Sequence, residues 1–222
     1  AETVALIRVQ DGVGVGRIMA AADEVKQQVY GDRIVLSAPL HISNHCGSEC
    51  LYCANRKSNK AVERKYMTSP EMREAALKLI RQGHKRIFLV SGQLPNADIE
   101  YLAEAISILY TAFDGVGEVH SVNVNVGALE SHEYAALLES YVGTVLIYQD
   151  TYHEASYRAA HISGPKSDYY ARLNAADVAF QAGVPDVGGG LMLGLGPWQY
   201  DLLGIVQHQA HLLRAYDTGC RT

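Results

Sequence analysis

The sequence predicts an α/β protein built around a parallel sheet. Short β-branched runs alternate with longer amphipathic segments along most of the 222 residues. Helix entries and exits carry the residues that favour them, with a capping signal at Thr68-Ser69-Pro70-Glu71 and glycines at Gly83 and Gly183. Five βα units in a row imply a parallel sheet with helices outside it, because parallel strands need long right-handed crossovers.

The predicted elements begin with a helix over about residues 17–30. Apolar side chains recur there at three- and four-residue spacing, and Gly31 follows. The five strand and helix pairs then come in order as 33–42 with 69–82, 86–90 with 99–113, 122–126 with 131–140, 144–149 with 167–181, and 186–193 with 200–216. With no internal repeat and no convincing linker, residues 1–222 are predicted to form one domain.

Two closures fit this order of elements, an open doubly wound sheet and a (β/α) barrel, and periodicity does not choose between them. Both place their sites at the C-terminal ends of the strands. Asn123 and Asn125 share one face of their strand, which favours contact with a cofactor or substrate over internal hydrogen bonding. Other polar residues at such ends are Ser43-Asn44, Ser91-Gly92-Gln93 and Gln149-Asp150.

Composition and charge exclude several classes of protein. Hydrophobic residues make up 48% and charged residues 19% of the chain, which excludes collagen, coiled coils and disordered tails. The net charge is −5, and no basic run is long enough to bind a nucleic acid. No apolar stretch approaches the roughly 20 residues of a membrane span, and the first residues lack a signal-peptide pattern. A cytoplasmic location without membrane association is therefore expected.

Three of the four cysteines crowd into the loop after the first predicted strand. Cys46, Cys50 and Cys53 have CX3CX2C spacing among polar neighbours. A loop of this kind can wrap its thiolates around one inorganic core, as in iron–sulfur proteins. Since a cluster of four irons needs four ligands, three cysteines leave one iron open to a small molecule, much as catalytic zinc keeps an open position.

Two other uses of these cysteines remain open from the residues alone. A zinc site would need a fourth ligand, which His41, His45 or the distant Cys220 could supply. A disulfide between two of the three cysteines would leave a reactive third thiol, which fits poorly with an intracellular location.

The CX3CX2C loop, with Tyr52 before its third cysteine and a strand before the loop, resembles the signature of the radical S-adenosylmethionine (SAM) superfamily. Within that superfamily the chain is similar to the branch of tyrosine lyases and 2-iminoacetate synthases, and more so to the tyrosine lyase of [FeFe]-hydrogenase maturation. The similarity covers about residues 18–222. The segments that carry it are 38–44, 122–125, 149–153, 163–167 and 186–188.

The resemblance implies a partial, TIM-like (β/α) barrel of the radical SAM type with about five βα units. It implies that Cys46, Cys50 and Cys53 hold a [4Fe-4S] cluster whose open iron binds SAM, which is cleaved reductively to methionine and a 5′-deoxyadenosyl radical. The implied reaction splits the Cα–Cβ bond of L-tyrosine into p-cresol and 2-iminoacetate (dehydroglycine), with ferredoxin or flavodoxin as electron donor. The alternatives are another substrate, or a catalytically inactive iron–sulfur fragment.

Cofactor-binding positions follow from the same resemblance. Tyr52 is expected to face the adenine of SAM. Gly92 and Gln93 stand where the family has a Gly-Glu element for the SAM amino group, so Gln93 would make a neutral hydrogen bond in place of a charge-assisted one. Gln149 and Asp150 stand where the branch has Gln-Glu, and the shorter Asp150 is expected to reach a ribose hydroxyl or the polar end of the cofactor.

Three further cofactor positions are expected from the resemblance. Arg172 is a candidate for bidentate pairing with the SAM carboxylate, Gly190 for close approach of the adenine, and Asn125 for contact inside the barrel. No catalytic residue is assigned. The family core has six βα units, so a chain with five is expected to lack the sixth unit and the C-terminal extension that carries a second cluster.

Overall fold

The computed structural model describes residues 2–93, 99–113, 115 and 117–217. The chain divides into two compact units, Ala1–Leu36 and Ser37–Thr222. That residues 1–222 together form a single radical SAM core domain stays a prediction.

The first unit contains two helices, α1 at Glu2–Ile7 and α2 at Gly12–Tyr30. Asp11 caps α2, because its carboxylate accepts a hydrogen bond of 2.8 Å from the backbone N–H of Gly14. The predicted start of this helix near residue 17 is wrong, since the cap supports a first turn that contains glycines. Gly31, at φ +58°, ends the helix as expected.

The second unit contains seven strands and six α-helices among the described residues. The strands are β1 (Ala38–Ser43), β2 (Glu49–Cys50), β3 (Arg86–Ser91), β4 (Ser121–Asn125), β5 (Val145–Asp150), β6 (His161–Ser163) and β7 (Val187–Leu191). The helices are α3 (Ser69–Arg81), α4 (Ile99–Thr111), α5 (Ser131–Glu139), α6 (Glu154–Ala160), α7 (Tyr169–Gln181) and α8 (Trp198–Tyr216), with a 3-10 turn at Pro165–Ser167. None of the helices in the described ranges has the length and apolar character needed to cross a bilayer.

The main strands stand in the sheet in the order in which the chain reaches them. That order is β1-β3-β4-β5-β7, and each strand pairs in parallel with its neighbour. In a doubly wound sheet the order of the strands reverses at a switch point, whereas in a barrel each new strand lies beside the preceding one. The strand order therefore favours the barrel, and the predicted α/β fold with a partial (β/α) barrel is confirmed.

The core lies between the sheet and its outer helices. Strands β3, β4 and β5 send alternate side chains outward to α3, α4, α5 and α7. Side chains without exposed surface include Ile42, Ala76, Ile87, Ile106, Leu109, Val122, Val124, Leu137, Val145 and Val187. This packing fixes the strands, and with them the carboxyl edge at which the cysteine loop begins.

The structure departs from the predicted elements at the start of β1 and in several short elements. Strand β1 begins at Ala38 rather than at residue 33, because its pairing with β3 starts with Ala38 opposite Ile87. Ile34, which precedes the strand, is 81% exposed. Elements α1, β2, α6 and β6 have no counterpart among the predicted ones, since runs of two to seven residues are too short to show a periodicity.

Candidate functional site

The three cysteines of the CX3CX2C loop follow β1 at the carboxyl edge of the sheet. Cys50 is buried in the short strand β2, whereas Cys46 and Cys53 are half-buried. The backbone N–H of Cys53 donates to the carbonyl of Cys50 at 3.0 Å, which turns the chain between them. All three are free thiols, so the disulfide alternative has no counterpart in the structure.

The pKa of Cys50 reflects both its burial and its neighbours. Burial raises the pKa of the Cys50 thiol to about 11, the Lys166 ammonium opposes this, and the Cys46 and Cys53 thiols raise the pKa further. The three sulfurs therefore lie close enough to act on each other. Because metal coordination deprotonates a cysteine outright, three neighbouring thiols on one loop fit the ligand set of an iron–sulfur cluster.

A mononuclear metal site is a different arrangement. Within the described residues, no three His, Cys, Asp or Glu side chains come together as ligands of a single metal ion. The zinc alternative therefore gains no support from this part of the chain, and Cys220 lies outside it. In an iron–sulfur cluster each thiolate binds a different iron, so its ligands need not converge on one point.

A single guanidinium holds the cysteine loop in shape. Arg64 donates to four backbone carbonyls: from Nη1 to Asn44 at 2.6 Å and Asn55 at 3.0 Å, and from Nη2 to Arg56 at 2.7 Å and Asn59 at 3.2 Å. These carbonyls lie on both sides of the cysteines in the sequence, so the planar fork closes the loop. Sequence reasoning missed this role, because Arg64 sits in a basic stretch that is typical of an exposed loop.

A two-stranded sheet joins the cysteine loop to the segment after β5. Strand β2 pairs antiparallel with β6, with Cys50 opposite His161 and Glu49 opposite Ser163. The backbone N–H of Leu51 extends the contact by donating to the carbonyl of Ala160 at a distance of 2.9 Å. The buried cysteine is therefore held by a segment far along the chain.

Ser48 connects three segments through one buried hydroxyl. It is 1% exposed, donates to Gln93 Oε1 at 2.9 Å, and accepts from the backbone N–H of Lys166 at 3.1 Å. Gly164, at φ +86°, lies directly against the carbonyl of Gly47, where a Cβ would overlap that oxygen. Both contacts tie the cysteine loop to the turn that carries Lys166.

Tyr52 reaches a buried polar cluster formed by Asp150, His161 and Lys166. Its hydroxyl lies 3.0 Å from Asp150 Oδ2, 2.7 Å from His161 Nε2 and 3.2 Å from Lys166 Nζ. Lys166 Nζ also lies 2.5 Å from Asp150 Oδ2. We call these four residues the Tyr52 cluster. Contact of Tyr52 with adenine stays a prediction, and the hydroxyl group is already engaged here.

Asp150 is the anion of the Tyr52 cluster. It is 3% exposed and has φ +65°, a left-handed conformation that interrupts the alternation of β5. Burial raises the pKa of Asp150, but hydrogen bonding from His161 and the charge of Lys166 outweigh burial and lower the pKa to about 2. Asp150 is therefore ionised at neutral pH. Its expected contact with the ribose stays a prediction.

Burial and the Asp150 charge raise the pKa of Tyr52 well above its ordinary value. Tyr52 therefore keeps its proton, and the hydroxyl can donate to Asp150 Oδ2 or to His161 Nε2. The imidazole Nδ1 lies 2.8 Å from the carbonyl of Tyr157, which accepts its hydrogen bond and fixes the ring beside Tyr52. Nothing in the sequence pattern joins Tyr52 to Lys166, since no local pattern relates positions this far apart.

The structure brings Gly92 and Gln93 to the cysteine loop. The backbone N–H of Gly47 donates to the carbonyl of Gln93 at 2.7 Å. A Cβ on Gly92 would overlap the carbonyl oxygen of His45, so the close approach of these backbones requires glycine. The Gln93 side chain is oriented by its contact with Ser48. A contact of Gln93 with the SAM amino group stays a prediction.

Gln149 points away from the Tyr52 cluster. Its side chain is 4% exposed and lines a small cavity between β5, α7 and α8. Gln149 Nε2 has no hydrogen-bond partner among the described residues. None of the four residues of the Tyr52 cluster lines this cavity, so Gln149 and Asp150 face different surroundings. The geometry gives no support to a cofactor contact for Gln149, which stays a prediction.

Arg172 and Gly190 are engaged with the protein itself. Arg172 is 4% exposed and donates from Nε to the carbonyl of Tyr148 at 2.8 Å and from Nη1 to that of Val126 at 3.2 Å. A Cβ on Gly190 would overlap the Tyr148 ring, so the glycine makes room for this ring. Both observations are structural, and the expected contacts with the SAM carboxylate and adenine stay predictions.

The two asparagines of β4 differ in their surroundings. Asn123 Oδ1 accepts from the backbone N–H of Thr144 at 3.1 Å and lies 3.1 Å from Ser121 Oγ, so internal hydrogen bonding explains it. Asn125 is half-buried at the C-terminal end of β4, opposite Leu146 of β5. A cofactor contact for Asn125 stays a prediction.

The fold matches two solved structures of hydrogenase maturases. The crystal structure of HydG, a maturase of the [FeFe]-hydrogenase, is 35% identical, has a TM-score of 0.96, and aligns 100% of this chain with 49% of that chain. The HydG structure from Carboxydothermus hydrogenoformans is 34% identical, has a TM-score of 0.89, and aligns 98% of this chain with 50% of that one.

The sequence matches enzymes of the same group. The 2-iminoacetate synthase of Escherichia coli (strain K12) is 28% identical over 197 residues, which are 88% of this chain and 50% of the relative. The chain thus spans about half the length of the relatives it matches. The family model of the radical SAM superfamily matches residues 40–199, a range that contains the three cysteines and the Tyr52 cluster. The chain therefore belongs to the radical SAM superfamily.

Proposed function

We propose that the chain is the core of an enzyme that splits the Cα–Cβ bond of L-tyrosine into p-cresol and 2-iminoacetate (dehydroglycine). The observation that carries the proposal is the loop of three free cysteines at the carboxyl edge of a parallel sheet. The whole of this chain aligns with 49% of the HydG chain. The 2-iminoacetate synthase among the relatives supports the product. One hydrogen of tyrosine leaves in 5′-deoxyadenosine, so formation of p-cresol would take up one proton and one further electron from the reductant.

The radical SAM superfamily uses a [4Fe-4S] cluster and SAM, and the bound cluster supplies the electron for reductive cleavage of SAM. Cys46, Cys50 and Cys53 would hold this cluster through their thiolates. Cys50 must give up its proton against the effect of burial, so assembly depends on iron as the compensating charge. An electron carrier such as ferredoxin or flavodoxin would supply the electron.

The residues around the loop would keep it in place during these steps. Arg64 fixes the loop backbone through four carbonyls, and Ser48 fixes it to Gln93 and Lys166. These contacts would hold the cysteine loop at the carboxyl edge of the sheet, where barrels of this type bind their substrates.

The test is an anaerobic turnover by the chain after reconstitution with iron and sulfide. Dithionite, SAM and tyrosine are added, and 5′-deoxyadenosine and p-cresol are measured by mass spectrometry. Both products are expected. Deoxyadenosine without p-cresol would point to another substrate, and an intact cluster with neither product would point to an inactive iron–sulfur fragment.

The control is a variant with Cys46, Cys50 and Cys53 all replaced by Ala. It is expected to bind no cluster and to lose the broad absorption near ~400 nm of thiolate-ligated iron. Cys220→Ala is expected to keep that absorption. A triple variant that kept it would contradict the ligand assignment.

A further inference from the structure

A buried ion pair lies beside the cysteine loop, between Lys166 and Asp150. The two charged atoms, Lys166 Nζ and Asp150 Oδ2, are 2.5 Å apart, and the side chains are 17% and 4% exposed. This pair is not a surface salt bridge, because little water reaches it to screen its field.

Both ends of Lys166 are fixed to the segment between the cysteines. Its backbone N–H donates to Ser48 Oγ at 3.1 Å, and its ammonium donates to the Tyr52 hydroxyl at 3.2 Å. Ser48 lies between the first and second cysteines, and Tyr52 lies directly before the third. The ammonium also lies 5.8 Å from the centre of the Tyr52 ring. The charge therefore has a defined position relative to the thiols.

We propose that Lys166 and Asp150 are positioning residues that set the reduction potential of the cluster held by Cys46, Cys50 and Cys53. Lys166 makes the cluster easier to reduce, and Asp150 makes it harder to reduce. The proposal rests on the cluster binding of the proposed function, and not on tyrosine as the substrate.

The sign follows from electrostatics. Reduction of the cluster takes up one electron, so it adds one negative charge at the sulfur ligands. A fixed cation nearby stabilises that added charge and a fixed anion opposes it, and both act strongly where the surroundings are poor in water. The Lys166 ammonium is held in this place by contacts of its residue with Ser48 and Tyr52, which lie on either side of Cys50 in the sequence.

The test is a redox titration of the reconstituted chain under anaerobic conditions at one pH, with dithionite as reductant and the EPR signal of the reduced cluster as readout. Lys166→Met, which keeps the length of the side chain without its charge, is expected to shift the midpoint to more negative potential. We expect at least a tenfold change in the reduction equilibrium, which is about 59 mV for one electron.

Matched variants separate charge from structure. Asp150→Asn is expected to shift the midpoint to more positive potential, and the double variant Lys166→Met/Asp150→Asn to return close to the parent. Lys166→Arg, which keeps the cation, is expected to stay close to the parent. Lys78→Met removes a 65% exposed lysine from α3 and is expected to change nothing.

The outcomes distinguish this inference from the proposed function. Equal midpoints for the parent, Lys166→Met and Asp150→Asn, with full clusters, would overturn the inference alone. If Lys166→Met fails to hold a cluster, the midpoint potential of Asp150→Asn tests the inference instead. A midpoint of Asp150→Asn that is no more positive than that of the parent would then overturn the inference. A parent chain that takes up no cluster would overturn both proposals, whereas absence of p-cresol would leave the redox titration intact.

Discussion

At the scale of single residues, Asp150 shows how far the site departs from a strand with ordinary alternation. Its left-handed backbone and its 3% exposure place one carboxylate oxygen against Tyr52, His161 and Lys166. A non-glycine residue at φ +65° is kept there only by surroundings that repay the strain. Here three polar contacts at one oxygen do so, from Tyr52, which is far away in the sequence, and from His161 and Lys166, which follow β5.

The lowered pKa of Asp150 predicts how stability depends on pH. A carboxyl group whose folded pKa lies below its unfolded value stabilises the fold above the unfolded value, and this stabilisation is lost as pH falls toward the folded value. The pKa falls from 3.8 to about 2. The stabilisation is therefore about 2 kcal/mol at neutral pH and is lost between about pH 4 and pH 2.

Urea unfolding of the cluster-free chain at several pH values measures this effect. The difference in free energy of unfolding between the parent and Asp150→Asn is expected to shrink as the pH falls through that window. A difference that stayed constant from pH 7 to pH 2 would contradict the ion-pair account of Asp150.

At the scale of elements, the cysteine loop owes its shape to side chains rather than to regular secondary structure. Only Glu49–Cys50 of the loop forms a strand, and its partner is the three-residue strand β6. Most of the remaining loop is fixed by turns and by Arg64, whose guanidinium replaces the ladder of hydrogen bonds that a longer strand would have. Such a loop depends heavily on a few polar contacts.

Arg64→Lys is predicted to destabilise the loop, because an ammonium cannot present the planar fork that reaches four carbonyls. Loss of charged hydrogen bonds with their partners left in place is expected to cost about 2 kcal/mol of unfolding free energy. The reconstituted variant is also expected to retain less iron per chain.

Iron content and urea unfolding check the Arg64 prediction. The control is Arg73→Lys, which affects longer contacts of 3.4 and 3.3 Å to Thr111 on the exposed surface. It is expected to match the parent in both measurements. Equal iron retention by Arg64→Lys and the parent would show that the four carbonyl contacts do not hold the loop.

At the scale of the whole molecule, one apolar core supports the sheet edge on which the site is built. The core extends from β1 through α3, α4, α5 and α7 to β7, so a defect far from the cysteines lowers the stability of the unit as a whole. The site residues themselves make few apolar contacts with that core. Stability and cluster binding are therefore expected to respond separately to core mutations.

Leu109→Ala on α4 is predicted to test this separation. Leu109 has no exposed surface, so its truncation leaves a cavity. The variant is expected to lose roughly 2–5 kcal/mol of unfolding free energy. Leu213→Ala, at a position that is 57% exposed, is expected to cost less than about 0.5 kcal/mol.

Urea unfolding measures both leucine variants, and iron per chain is measured without denaturant. We expect Leu109→Ala to bind as much iron as the parent while unfolding at lower urea. A loss of iron in proportion to the lost stability would show that the core and the loop form one energetic unit.

Features that depend on neighbouring residues follow from the amino-acid sequence alone. The alternation of strand and helix patterns predicts the α/β fold, and the CX3CX2C spacing predicts three thiols on one loop, because both are properties of short stretches of chain. The boundaries of the longer helices in the second unit, such as Ser69–Arg81, agree within a residue or two with the predicted ones, whereas α2 begins at Gly12 and not near residue 17. The resemblance to the radical SAM superfamily rests on the same local pattern.

Features that join residues far apart in the sequence became visible in the folded protein. The sequential strand order, the pairing of β2 with β6 and the Tyr52 cluster join positions up to 118 residues apart, as Ser48 and Lys166 show. Periodicity carries no information about such pairs, because a side chain's periodic position names its face and not its partner. The placement of Lys166 and Asp150 beside the cysteine loop is therefore a property of the fold, although the sequence shows that both residues are present.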